Sequence, residues 1–158
     1  MVSRTTKSGK AFSLLELVIV VVIIAIIAGI AIPRLSRGTA GAADSALSGD
    51  LAVLRNAIDL YGAEHNGTFP TAANIVSQLT QYTDATGDAQ PTKDATHIYG
   101  PYIRQVPALP VGAKKGCTGI ALIDGAGVGW IYTESPGDIH ANCLDTEVDA
   151  SGKKYNTY

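Results

Sequence analysis

One carboxylate set inside a long apolar run constrains this chain more than any other feature. Glu16 follows Phe12-Ser13-Leu14-Leu15, and beyond it the sequence from Leu17 to Pro33 carries no charge over 17 residues. A run of that length spans about 25 Å as a helix at ~1.5 Å per residue, and adding Phe12 to Leu15 brings it near a full crossing of ~30 Å of hydrocarbon. A charged side chain inside such a segment costs on the order of 2.5–3.5 kcal/mol at the centre of a membrane helix, less near an end. A segment that only had to cross a bilayer gains nothing from it, so Glu16 points to a partner cation.

The flanks separate this run from other apolar segments. The leader from Met1 to Ala11 holds Arg4, Lys7 and Lys10 and no acid, which favours a cytoplasmic N-terminus, while Arg34 and Arg37 on the far side weaken that bias. A secretory signal would end in a small-residue site after a shorter core; Ala40-Gly41-Ala42 has that look, but Pro33-Arg34-Leu35-Ser36-Arg37 intervenes. Basic leader, small residue, Phe12, Glu16 four residues on and Pro33 near the end of the run together resemble the type IV prepilin signature. Type IV pilins and the pseudopilins of type II secretion carry it. The resemblance covers roughly residues 9–36. It implies cleavage by a prepilin peptidase between Ala11 and Phe12, methylation of the new amine on Phe12, and pairing of Glu16 with the amine of a neighbouring subunit. The family commonly has Gly where this chain has Ala11.

On this reading residues 1–11 are a cleaved leader, 12–35 a membrane and polymerisation helix, and 36–158 a periplasmic or extracellular head. β-branched residues dominate the run and are poor helix formers in water, but in lipid the backbone must satisfy itself internally and helix wins. Gly29 and Pro33 both weaken helical hydrogen bonding; with Phe12 and Glu16 they are the expected assembly residues, and local melting between Gly29 and Pro33 is expected in an assembled filament. Gly29 and Ala25, one turn apart, also permit close helix approach.

After Pro33 the chain is expected to resume or continue as an amphipathic helix. Leu47, Leu51, Leu54, Ile58 and Tyr61 recur at four-three-four-three spacing and share a face, from which Ser45, Asp50, Arg55 and Asp59 largely depart. The helix should stop at His65-Asn66-Gly67, with Gly67 as the left-handed cap. A short helix is expected within Thr71–Tyr82, capped by Thr71, with Ile75, Val76 and Leu79 inward. Thr83 to Thr96 reads as loop, and the Pro-rich segments at 100–103 and 106–110 as ordered extended chain. Ile120–Ile123 and Gly129–Tyr132 flank a Gly-rich turn and read as a hairpin, with a third strand around Asp138–Asn142. The fold class is α+β: a long N-terminal helix packed on a small antiparallel sheet.

Gly67-Thr68-Phe69-Pro70, Gly100-Pro101-Tyr102-Ile103 with Pro107, and Gly129-Trp130-Ile131-Tyr132 follow an order similar to major pseudopilins. That resemblance implies calcium in a C-terminal loop, where Glu134, Asp138, Asp145, Glu147 and Asp149 offer hard oxygen ligands; their spacing matches no calcium-loop pattern, and from the residues alone they read as solvated surface acids. Cys117 and Cys143, an even pair in an extracytoplasmic domain, are expected to form a disulfide worth about 3 kcal/mol by loop entropy.

The chemistry classes narrow further. The whole chain has net charge −2; loss of the leader removes three basic residues and leaves nine against fourteen acids, a net of −5. That balance argues against binding nucleic acid over a broad basic surface. His65, His97 and His140 are scattered without ligand-like spacing, no Ser sits in a nucleophile elbow, and the glycines at 125, 127 and 129 precede a strand rather than a helix, so an enzyme is not expected. The Asn66-Gly67-Thr68 sequon reads most simply as cap and turn. Three functions remain: a structural subunit of a secretion pseudopilus, partnered by its own copies, prepilin peptidase, an inner-membrane assembly platform and minor pseudopilins; a surface pilin for adhesion, motility or DNA uptake; or a monomeric membrane-anchored binding domain.

Overall fold

The computed structural model describes residues 12–158, and within that stretch the side chains outside residues 30–40. Its first element, helix α1, runs Leu14–Glu64. The chain divides into two units, Met1–Gly38 and Thr39–Tyr158, and α1 contributes to both.

In the second unit α1 is organised by the expected stripe. Leu47, Leu51, Leu54, Ile58 and Tyr61 are all buried, joined by Ala57. Together with Ile75, Leu79, Leu109, Trp130, Tyr132, Ile139 and Ala141 they form one core. The stripe is the short-range cause of the head: a side chain every three or four residues presents a continuous apolar line that must be covered. Helix α1 ends in a Schellman motif, with the Gly67 N–H donating to the Gly62 carbonyl at 2.7 Å. Gly67 is left-handed as expected, with φ 81°, and Asn66 before it shares that conformation at φ 55°. Asn is one of the few residues other than glycine that visits this region.

Helix α2 is Ile75–Thr80, shorter than the sequence suggests. Asn74 occupies its cap position, without a side-chain hydrogen bond, and Thr71 instead donates its backbone N–H to Gln78 Oε1 at 2.9 Å. Ile75 and Leu79 are buried as expected, but Val76 is 41% exposed and Gln78 takes the inward place. Gln78 is kept there by its two ends: Oε1 accepts from Thr71, and Nε2 donates to the Gly87 carbonyl at 2.8 Å. The loop expected after residue 83 contains a two-residue ladder, β1 (Tyr82–Thr83) antiparallel to β2 (Ala89–Gln90).

The main sheet has the order β3-β4-β5, from β3 (Gly119–Ala121), β4 (Val128–Thr133) and β5 (Asp138–Ala141). β4 and β5 pair antiparallel, with Trp130 opposite Ala141 and Tyr132 opposite Ile139. The expected hairpin between β3 and β4 is overturned: these strands are parallel, Ile120 opposite Trp130, with a register shift at Gly119. Parallel neighbours ordinarily need a long crossover. Here β3 is so short that the segment 122–127 can climb back beside it, and the Gly119 N–H closes onto the Gly127 carbonyl at 2.9 Å. A Cβ on Gly119 would sit 2.7 Å from that oxygen, so the return path requires glycine.

The three short patterns noted in the sequence all serve this packing. Phe69 lies against Gly62 and Gly137, each too close to its ring for comfortable addition of a Cβ. The Tyr102 hydroxyl donates to Glu64 at 2.7 Å. Trp130 is fully buried and donates its indole N–H to the Pro107 carbonyl at 2.9 Å.

Candidate assembly segment

Helix α1 opens with Leu14, and Glu16 falls in its first turn. A carboxylate there is locally favourable, because unsatisfied amides and the helix dipole place partial positive charge at that end. This softens the cost of the charge without explaining it, since an uncharged cap would serve the helix as well. Every described side chain from Phe12 to Ile27 is exposed, Phe12 at 79% and Leu14 at 81%. A helix apolar on all sides is a buried helix, in lipid or among neighbours. Among the described residues, no helix is long and apolar enough to cross a membrane. In the sequence the apolar run continues past Gly29 into residues 30–40.

The other expected assembly residues fall as follows. Gly29 is exposed, with open space where a Cβ would stand. Ala11, with the rest of the leader, and the side chain of Pro33 lie outside the described residues.

Residues 6–32 match the family model described as the prokaryotic N-terminal methylation motif. The matched segment is similar to the N-terminal segment of type IV pilin-like precursors. The match takes in Lys7 and Lys10 of the leader, the Ala11–Phe12 junction and Glu16, where the motif implies a prepilin peptidase substrate. It stops short of the head. No curated protein and no solved structure matches the chain.

A second surface of α1 escaped the sequence reading. Ala42, Ala46, Gly49, Val53, Asn56, Leu60 and Ala63 repeat at four-three spacing, and all are exposed. They lie on the side of the helix opposite the core stripe, and Val53 and Leu60 are each about half exposed. The signal was present as a second periodic line, but its small residues resemble ordinary helix filler. Such a line admits close approach of another helix.

The remaining expected sites are not drawn into one centre. Glu134 accepts the Ala72 N–H. Asp138 borders a cleft with Arg55 and Asp59. Asp145 accepts from Asn156 at 2.8 Å and Lys154 at 3.0 Å, which hold its carboxyl below the usual range. Asp149 accepts the Tyr158 hydroxyl and the turn amides of Ser151 and Lys153, and these also depress its pKa. Glu147 accepts the N–H groups of Ala113 at 2.5 Å and Leu144 at 2.7 Å. Among the described residues no three His, Cys, Asp or Glu side chains are gathered to hold a metal ion.

Cys117 and Cys143, expected as a disulfide, are half-buried free thiols in this structure. Burial, reinforced by Glu147, pushes the Cys143 thiol up to about 11. The histidines are also dispersed. His65 is buried, stacked on Tyr61 with ring centroids 3.8 Å apart, its Nδ1 2.9 Å from the Tyr61 carbonyl and its Nε2 3.0 Å from that of Asp84. His97 faces Asp94 and Asp88 in an exposed loop. His140 lies on β5.

Proposed function

We propose that this protein is a structural subunit of a type II secretion pseudopilus, polymerising through the N-terminal part of α1 after cleavage between Ala11 and Phe12. The observation that carries the reading is Glu16: the sole charge in the exposed apolar stretch from Phe12 to Ile27, four residues after the residue whose amine the methylation motif would expose. Apolar packing is nondirectional, so one helix can slide along another at modest cost. A buried Glu16 facing the Phe12 amine of the next copy makes most registers unfavourable, because an unpaired buried charge is expensive. Before assembly the same segment, residues 12–35, anchors the chain in the inner membrane with residues 36–158 in the periplasm.

The three short head patterns support the secretion reading over a surface pilus for adhesion, motility or DNA uptake. Each sits at a packing contact against α1 or beneath it. The test is co-expression with a prepilin peptidase and intact mass of the product. A chain beginning at methylated Phe12 supports the reading; an uncleaved chain sinks it and leaves a membrane-anchored head. Loss of secretion, rather than of surface fibres, on deleting the gene separates the pseudopilus from a surface pilin.

A further inference from the structure

One motif is left unused by assembly: Asn66-Gly67-Thr68, the single Asn-X-Ser/Thr sequence among the chain's asparagines. The capping turn explains part of it. Asn66 holds φ 55° and Gly67 φ 81°, and both residue types suit left-handed backbone. The cap does not use the rest. Asn66, Gly67 and Thr68 are all exposed. The Gly67 N–H goes to the Gly62 carbonyl and the Thr68 N–H to that of His65 at 3.0 Å, so the backbone of the turn is satisfied from within. Among the described residues neither the Asn66 amide nor the Thr68 hydroxyl takes part in a hydrogen bond, although polar side chains of turns commonly bond their own backbone. Beside Gly67 there is open space, so nothing in the fold obstructs approach to the pair. Two residues earlier stands Glu64, exposed, its Oε2 accepting the Tyr102 hydroxyl at 2.7 Å and its Oε1 without a hydrogen bond among the described residues, where a cationic group on an enzyme could grip it.

We propose that Asn66 is an acceptor for an N-linked glycan, transferred from a lipid-linked oligosaccharide diphosphate. Nδ2 of Asn66 forms a bond to the anomeric carbon of the first sugar, the bond from that carbon to the diphosphate oxygen breaks, the lipid diphosphate leaves, and the amide proton passes to a base on the transferase. The Thr68 hydroxyl is the recognition group two residues on, and the side-chain-free Gly67 between them leaves clearance for the enzyme. A glycan there would be bulky, solubilising and confined to the surface. It would cap the end of α1 remote in sequence from the assembly segment.

Transfer in the cell rests on the extracytoplasmic placement of the head, so the test is made outside the cell. The purified full chain is incubated with an oligosaccharyl transferase of bacterial type and its lipid-linked donor, and intact mass is read. One glycan added to the unaltered chain and to Thr68→Ser, and none to Asn66→Asp or Thr68→Val, is the expected result. Asn66→Asp keeps a residue that tolerates left-handed backbone, so loss of modification there does not reflect a broken cap. Modification elsewhere in the chain, or of a short peptide carrying residues 62–70 but not of the folded chain, overturns the proposal. Failure of peptidase cleavage would sink the filament reading and leave this mass shift unaffected.

Discussion

The first and second halves of α1 obey different rules. From Phe12 to Ile27 the described side chains are exposed and almost wholly apolar, whereas from Leu47 to Tyr61 one line is buried in the head and the opposite line is exposed. The buried line is accounted for within the chain. The apolar turns from Phe12 to Ile27 have no cover among the described residues, as befits a helix that is buried in lipid or among neighbours. One helical element therefore carries two kinds of pattern: a periodic line that the head covers, and an aperiodic apolar run with one charge that the described residues leave uncovered.

The largest effect is expected of Glu16→Ala. Leaving the partner amine buried without its counter-charge costs about 3–5 kcal/mol, so filament yield should fall more than a hundredfold while membrane insertion is retained. Filaments in normal yield, judged by pelleting and electron microscopy, would end the registration argument. In the second half, Leu54→Ala should destabilise the head by about 2–5 kcal/mol through lost burial and a residual cavity, seen as a lower denaturation midpoint. The neighbouring Val53→Ala should change that midpoint by less than about 0.5 kcal/mol, as exposed substitutions do, yet reduce assembly. If both substitutions unfold the head equally, the two faces of α1 are not distinct.

Smaller effects probe the C-terminal region. With its thiol raised to about 11, Cys143 should resist alkylation at pH 8 about a hundredfold more than an ordinary cysteine, and ready labelling, followed by peptide mass, would contradict its burial. Asp149 has a folded pKa below its unfolded value of about 3.9. Its contribution to stability is therefore present above that pH and disappears as pH falls through the folded value. Asp149→Ala should lower the melting temperature slightly at neutral pH and converge with the unaltered protein in strong acid. Equal differences at every pH would assign the effect to packing instead.

The parts legible in the sequence were those governed by one dominant energy. A charge in an apolar run, and Leu47 through Tyr61 at helical spacing, each tolerate few readings. The parallel pairing of β3 and β4 was hidden because a Gly-rich stretch between two short apolar runs is also what a hairpin looks like. Only the brevity of β3 and the close Gly119–Gly127 approach decide otherwise. Gln78 displaced Val76 from the interior because two distant backbone groups needed an amide, which no local pattern records. The exposed line from Ala42 to Ala63 was overlooked because small residues carry little hydropathic weight.

The C-terminal part of the chain returns to α1 at two heights. Tyr155 donates its hydroxyl to Asp44 at 2.8 Å, and Arg55 donates to the main-chain oxygens of Ile139 at 3.1 Å and Tyr158 at 2.6 Å. Asp44 and Arg55 are separated along the helix by about 16 Å at ~1.5 Å per residue. Tension applied along the helix axis is thus shared by two well-separated anchor points loaded side by side, as rivets are in a lap joint. The two ties bracket Leu47, Leu51 and Leu54 of the buried stripe, so a pull on the helix would load them together with the core between them rather than one after the other.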